Sequence, residues 1–162
     1  MPSEFIRRRR VEFADTDAAG LIHFTALLRF MEETEHAFYR SLGFSGYWRT
    51  EASVTGFPRV SVSCEYLAPL RYGEEVTIRL LVREVRAKAI RFEAGFSVER
   101  GEGSITVARG EMTVVCATRR HGEVEWEGVE IPTELERQLE VAASSIPRPR
   151  REPSPRADPP GR

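Results

Sequence analysis

The chain has 162 residues, 41% of them hydrophobic, and a formal net charge of −1 from 24 basic and 25 acidic side chains. This length suits a single domain, and the apolar fraction excludes disorder of the whole chain. The balanced charge argues against a nucleic-acid-binding protein, and no window approaches the ~18 apolar residues of a membrane span.

The compartment is predicted from two further features. Residues 1–10 contain no apolar run typical of a signal peptide, so we expect a cytoplasmic protein. Cys64 and Cys116 lie in apolar, strand-like runs, which predicts reduced thiols in the interior and no disulfide.

The first part of the chain predicts a strand, a loop and one long helix. Val11 to Phe13 alternates in polarity and is typical of the end of a strand, and residues 15–20 predict a loop. Gly43 followed by Phe44 indicates a glycine C-cap with an apolar contact. Between them, mostly apolar side chains recur at steps of three and four along one helix face: Leu27, Phe30, Met31, Thr34, Phe38 and Leu42.

Four alternating patterns follow and predict four long strands, at about residues 60–66, 76–82, 90–98 and 105–116. Ala108 and Gly110 leave a small face on the last strand, which lets a helix approach closely. Short turns between strands favour an antiparallel sheet, and the helix must bury its stripe against that sheet. We therefore predict an α+β fold in which a curved antiparallel sheet wraps around one long central helix.

The C-terminal part predicts a short helix and then a tail. Thr133 and Glu136 match a capping box, so a helix is expected from Glu134 to about Ala143. Residues 144–162 are mainly Pro, Arg and Ser. We predict one domain over residues 1–143 and a disordered tail over residues 144–162.

The usual catalytic motifs are absent. The sequence contains no nucleophile elbow, phosphate loop, dinucleotide fingerprint or metal-type spacing of Cys and His. One segment, DTDAAGLIHF at residues 15–24, places two aspartates and a glycine just before the helix. A calcium loop is excluded because Ala19 and Ala26 stand where oxygen ligands are needed. An Asx turn that favours the positive end of the helix stays open.

This segment resembles the opening of a known family. Residues 13–24, continued by residues 29–32, are similar to the 4-hydroxybenzoyl-CoA thioesterase-like acyl-CoA thioesterases of the hotdog superfamily. The family pattern is a strand ending in an aromatic, D-x-D-x-x-G, two aliphatics, an aromatic or His pair, and a helix with an aromatic-rich face. Residues 58–70, with Tyr66 and Pro69, resemble the family's second strand. The likeness covers residues 5–118 and implies a hotdog fold.

The resemblance implies roles for the residues of the motif. Asp17 corresponds to the catalytic carboxylate, as nucleophile or general base, and Asp15 to a supporting position. The backbone amide of Phe24 corresponds to the oxyanion donor, which suits the free N–H groups of a helix N-terminus. His23 either lines the substrate pocket or is structural, and Gly20 either allows close approach of the substrate or is a turn glycine.

Basic residues are candidates for the CoA phosphates. Arg86 and Lys88 lie in a strand-joining turn that resembles the family's nucleotide-contacting segment, although Ala87 and Ala89 replace polar residues of relatives. The alternative is a solvated hairpin. The run of arginines at residues 7–10 is more typical of a charged strand edge that discourages pairing.

The expectation is therefore an acyl-CoA thioesterase that needs no metal or other cofactor and binds neither nucleic acid nor a membrane. The resemblance also implies a homodimer or homotetramer with active sites at subunit interfaces. Two alternatives keep the fold: hydrolysis of acyl-carrier-protein thioesters, and non-catalytic binding of acyl-CoA. A hotdog dehydratase fits less well because His23 has no evident acidic partner.

Overall fold

The computed structural model describes residues 2–147, which form strands around one long helix. In chain order the elements are β1 (Glu4–Arg10), α1 (Phe24–Ser41), β2 (Tyr47–Arg49), β3 (Ser53–Gly56), β4 (Arg59–Tyr66), β5 (Glu75–Val85), β6 (Ala89–Arg100), β7 (Gly103–Val115), β8 (Ala117–Arg120), β9 (Glu127–Gly128) and α2 (Thr133–Glu136). A larger antiparallel sheet has the order β1-β5-β6-β7-β4, and a smaller one has the order β2-β3-β8-β9. The predicted α+β class, long helix and four long strands are confirmed.

Helix α1 packs its apolar stripe onto the larger sheet. Phe30, Met31 and Phe38 are buried together with inward-facing side chains of β5, β6 and β7. The close approach predicted at Gly110 is confirmed, because a Cβ atom at that position would clash with the sulfur of Met31. The apolar face of the helix thus forms the centre of the core.

The helix ends as the sequence predicts. Gly43 has a φ of +84°, a conformation that L side chains rarely adopt. The Gly43 N–H donates to the Arg40 carbonyl at 3.0 Å, and the Phe44 N–H donates to the Tyr39 carbonyl at 2.9 Å. These two bonds form a Schellman motif, which satisfies carbonyls that the helix end would otherwise leave unpaired.

The first strand is shorter than predicted. β1 ends at Arg10 rather than Phe13, because residues 13–15 turn into a short 3-10 helix. The Asp15 N–H donates to the Glu12 carbonyl, and the Glu12 N–H donates to Oδ2 of Asp15. β1 forms one edge of the larger sheet, so the charged strand edge predicted at residues 7–10 is confirmed.

The C-terminal predictions need correction. Helix α2 spans only Thr133–Glu136; its N-cap is Pro132 and makes no side-chain capping bond, so the predicted capping box is wrong. The chain then crosses the outer face of the larger sheet, where Ile146 is only 5% exposed and packs with Leu81 and Ala142. The packed domain therefore continues past residue 143. Residues 148–162 of the predicted tail lie outside the described residues.

Two further sequence expectations concern the cysteines and membrane spans. Cys64 and Cys116 are both free thiols, as predicted; Cys116 is buried and Cys64 is half-buried. Between residues 2 and 147, no helix has the length and apolar character needed to cross a membrane.

Candidate active site

The loop before α1 is closed by the side chain and backbone of Asp17. Its Oδ1 accepts hydrogen bonds from the N–H groups of Ala19 at 2.8 Å and Leu21 at 3.2 Å. The Asp17 N–H donates back to the Leu21 carbonyl at 2.8 Å. The Asx turn left open by the sequence is therefore present, but it occupies only Oδ1. Oδ2 makes no hydrogen bond with any residue that the structure describes.

Gly20 completes this turn. Its φ is +74°, and its N–H donates to the Asp17 carbonyl at 3.0 Å. A Cβ atom at position 20 would meet nothing within 4 Å, so no close packing requires the glycine there. The turn role of Gly20 is therefore present, and close approach of a substrate stays a prediction.

The start of α1 has one backbone donor without a partner. The His23 N–H donates to the Asp15 carbonyl at 2.7 Å, and the Thr25 N–H donates to Nδ1 of His23 at 3.3 Å. The Phe24 N–H lies between them and has no hydrogen-bond partner within residues 2–147. An unpaired N–H at the positive end of a helix is suited to binding a developing oxyanion.

His23 has a structural role as the N-cap of α1. Its Nδ1 lies 2.7 Å from Oγ1 of Thr25, and its ring packs 4.6 Å from the ring of Phe24, between centroids. Nε2 forms no hydrogen bond in the part of the chain that the structure describes. The imidazole can therefore cap the helix through one nitrogen and contact a ligand through the other.

A cleft of about 460 Å³ opens between the loop, the start of α1 and the segment after β4. Asp17, His23 and Phe24 line it together with Tyr66. The rest of its wall is apolar: Leu21, Ile22, Leu27, Ala68, Pro69 and Leu70. Two residues that line one apolar space thus have a carboxylate oxygen and a backbone N–H without partners among the described residues, a combination that suits attack on a carbonyl group.

The comparisons with known proteins identify the family of the chain. Residues 11–139 match the family model of the thioesterase-like superfamily. The chain belongs to that superfamily. It is 34% identical over 113 residues to a 1,4-dihydroxy-2-naphthoyl-CoA hydrolase of Prochlorococcus marinus, covering 62% of this chain and 68% of that protein. It is 25% identical over 117 residues to a 4-hydroxybenzoyl-CoA thioesterase of Pseudomonas sp., covering 71% and 78%.

Solved structures of the same superfamily have the same fold. A gentisyl-coenzyme A thioesterase is 28% identical with a TM-score of 0.66, covering 82% of this chain and 99% of that one. A 4-hydroxybenzoyl-CoA thioesterase is 21% identical with a TM-score of 0.70, covering 83% and 99%, which shows the fold alone. The predicted hotdog fold is confirmed, and this superfamily member is a thioester hydrolase.

Asp15 is the buried neighbour of Asp17 in this thioesterase-like chain. Its side chain is 2% exposed and forms an ion pair with Arg29 of α1. Arg9 of β1 lies 3.5 Å from Oδ2 of Asp15 and places its guanidinium 4.8 Å from the centre of the Phe30 ring. The carboxylate of Asp15 is enclosed by these contacts and does not line the cleft.

Tyr66 is a site residue that the sequence did not single out for chemistry. It is the last residue of β4, and its Oη donates a hydrogen bond to the Phe24 carbonyl at 2.5 Å. Partial burial and the neighbouring Cys64 raise the pKa of the Tyr66 phenol to about 12. In the sequence, Tyr66 belongs to the segment that resembles the family's second strand. That resemblance does not predict the contact with Phe24.

Arg86 and Lys88 are not brought to the cleft within one chain. Arg86 pairs with Glu84 at 2.8 Å, and Lys88 Nζ donates to the Gly128 carbonyl at 2.7 Å. Their β5–β6 hairpin lies beside the start of β4, because Val115, at the end of β7, bonds to the carbonyl before β4. The cleft lies beyond the other end of β4.

Within the described part of the chain, no group of three or more His, Cys, Asp or Glu side chains is placed to hold a metal ion.

Proposed function

We propose that the chain hydrolyses acyl-CoA thioesters to a free carboxylic acid and CoA. One observation carries the proposal: Asp17 and Phe24, which line the same apolar cleft, have a carboxylate oxygen and a backbone N–H without partners among the described residues. The CoA thioesters in the names of the relatives support the same substrate class.

The chemistry assigns one task to each group. The thioester carbonyl oxygen accepts a hydrogen bond from the Phe24 N–H, which stabilises the negative charge of the tetrahedral intermediate. Oδ2 of Asp17 either attacks the carbonyl carbon or takes a proton from a water that attacks it. The C–S bond then breaks, and the CoA thiolate leaves and is protonated by solvent. In the first route, water afterwards hydrolyses the acyl-aspartyl anhydride.

We infer that the acyl group lies against the apolar wall of the cleft. The wall offers Leu21, Leu27 and Leu70 but no charged side chain other than Asp17. An uncharged acyl group therefore fits this space better than one with a free carboxylate.

A second copy of the chain would complete the site for CoA. β4 is an edge strand of the larger sheet, and its Val60 and Val62 are 63% and 45% exposed. Antiparallel pairing of two β4 edges would place the start of one β4 beside the end of the other. The basic hairpin of Arg86 and Lys88 from one copy would then lie near the cleft of its partner. We therefore propose a homodimer, or a tetramer built from two dimers.

The decisive experiment measures free CoA release from a panel of short, long, branched and aromatic acyl-CoA substrates. The wild-type chain should turn over at least one of them. Asp17→Asn keeps the acceptor at Oδ1, so it should fold normally but lose about 100-fold or more in kcat. Glu102→Gln, an exposed carboxylate in the β6–β7 turn, is the matched control and should keep full activity.

Other outcomes would redirect the proposal. Faster release from acyl-carrier protein than from CoA would identify the carrier as the substrate. Tight acyl-CoA binding with no release of CoA would indicate a binding protein. An Asp17→Asn variant with the wild-type rate would remove Asp17 from the mechanism.

The dimer is tested separately by sedimentation of the wild-type chain and of Val62→Asp. The variant should be monomeric and should lose activity, whereas Val141→Asp, at another exposed position, should change neither. A fully active monomer would contradict the shared site.

A further inference from the structure

We propose that Tyr66 is a positioning residue that holds the first peptide of α1, so that the Phe24 N–H stays directed at the thioester carbonyl. The inference rests on the proposed function and adds a residue to its mechanism. It starts from one contact between distant parts of the chain: Oη of Tyr66 donates to the Phe24 carbonyl at 2.5 Å, across 42 residues of sequence.

The first turn of a helix needs such support because its amides lack intrahelical partners and its end frays readily. Four hydrogen bonds fix the peptides around the Phe24 N–H at the helix start. Three of them come from the loop and the first turn: the His23 N–H to the Asp15 carbonyl, the Ala26 N–H to the His23 carbonyl, and the Thr25 N–H to Nδ1 of His23. The fourth comes from Tyr66 and holds the carbonyl on the far side of Phe24.

Tyr66 is the link from the sheet to this turn. Within residues 2–147, its phenol makes the one hydrogen bond that joins a strand of the larger sheet to residues 23–26. Its own backbone is fixed in the ladder, where it pairs with Ala108 of β7. A rigid strand thus sets the position of the helix start, and the donor is placed relative to the sheet rather than to the loop alone.

The phenol also has the right protonation state and location. Because the pKa of Tyr66 is raised to about 12, its hydroxyl remains a donor throughout the range in which the enzyme would work. The side chain is 46% exposed and lines the cleft, so it is not an ordinary core residue held by packing. Its hydroxyl can be removed without creating a buried void.

The test compares the wild-type chain with Tyr66→Phe, which keeps the ring and deletes only the donor. Tyr47→Phe, another exposed tyrosine on the smaller sheet, is the matched control. We expect kcat of Tyr66→Phe to fall about tenfold, with KM changed by less than about twofold. The control should retain wild-type kinetics, and both variants should keep a Tm within about 2 °C of wild type.

Two non-hydrolysable ligands separate positioning from general binding. An acyl-CoA ketone analogue, with CH2 in place of sulfur, keeps the carbonyl that the Phe24 N–H would contact. A thioether analogue lacks the carbonyl. Tyr66→Phe should bind the ketone about fivefold more weakly and the thioether as tightly as wild type.

Several results would overturn the inference. Unchanged kcat and ketone affinity in Tyr66→Phe would show that the contact does not position the donor. Equal weakening of both analogues would show that Tyr66 contacts another part of the ligand. If the wild-type chain releases no CoA, the proposed function fails, and the ketone-to-thioether comparison alone then decides the role of Tyr66. A chain that binds neither analogue excludes both proposals.

Discussion

Buried Asp15 and half-exposed Arg29 form an ion pair that joins the loop of Asp17 to helix α1. The carboxylate is 2% exposed and lies two residues before Asp17, and Arg29 lies five residues after Phe24. The same carboxylate accepts the Glu12 N–H at 2.9 Å. One buried carboxylate therefore contacts both the loop that carries Asp17 and the helix that begins at Phe24.

Asp15→Asn should destabilise the fold. The substitution replaces a buried carboxylate by a neutral amide and weakens its contacts with the Glu12 N–H, Arg9 and Arg29. Because both arginines reach solvent, we expect a loss of about 1 to 3 kcal/mol in the free energy of unfolding. Glu33→Gln removes a partner of Arg9 that is 30% exposed and should cost less than about 1 kcal/mol. Urea unfolding of both variants measures the difference. Equal losses in the free energy of unfolding would mean that the burial of Asp15 does not determine how much it stabilises the fold.

The outline of the fold could be predicted because it depends on local periodicity. The stripe of α1 and the alternation in β5 to β7 each indicate a buried face, and Gly43 marks the end of the helix by its conformation. The smaller sheet escaped prediction, because strands of two to four residues are too short to show alternation.

The site could be predicted only where it is contiguous in sequence. Residues 15–24 carry both proposed reacting groups, so a motif could indicate them. Tyr66 reaches the site through tertiary packing, and nothing local to residue 66 predicts that contact. The end of the packed domain, predicted at residue 143, could not be placed correctly for a similar reason. Ile146 packs against the sheet where Gly95, far away in sequence, leaves room for its side chain.

Ile146→Ala should therefore lower stability although it lies in the predicted tail. The side chain is 5% exposed, and a Cβ atom at Gly95 would lie 2.9 Å from it. Truncation of a buried isoleucine costs about 2 to 5 kcal/mol, and the low end is expected at this outer face. Val141→Ala, at a site 56% exposed, should cost less than about 0.5 kcal/mol. Comparable unfolding midpoints for the two variants would show that the segment does not stabilise the sheet.

Glu35 should make stability depend on pH. Burial raises its pKa from 4.5 to about 7, an effect that the ion pair with Arg59 opposes. Tyr39 and Glu32 also face it, and His36, whose pKa is lowered by burial, lies near Arg59. Because the folded state binds the proton more tightly, the stabilisation is complete below about pH 4.5 and is lost as pH rises through about 7.

The free energy of unfolding should fall by about 2 to 3 kcal/mol from pH 5 to pH 8 through this group. Glu35→Gln cannot titrate and should remove that slope, whereas Glu32→Gln, on the more exposed partner of Arg59, should retain most of it. Urea titrations across this range provide the measurement. A wild-type slope that survives in Glu35→Gln would assign the pH dependence to another group.

The basic hairpin should contribute to binding of the nucleotide part of CoA and not to the chemistry. In the proposed dimer, Arg86 and Lys88 of one copy lie near the cleft of the other, within reach of the CoA phosphates. Replacing both with alanine should raise KM for acyl-CoA about tenfold, since two exposed charge contacts contribute about 1.4 kcal/mol together. KM for an acyl-pantetheine thioester, which lacks the nucleotide, should not change.

Arg8→Ala with Arg10→Ala removes the same charge from β1, at the opposite edge of the sheet, and is the control. An equal rise in KM for both thioesters would place the hairpin at the acyl or pantetheine arm, and no rise for either would leave it a solvated turn.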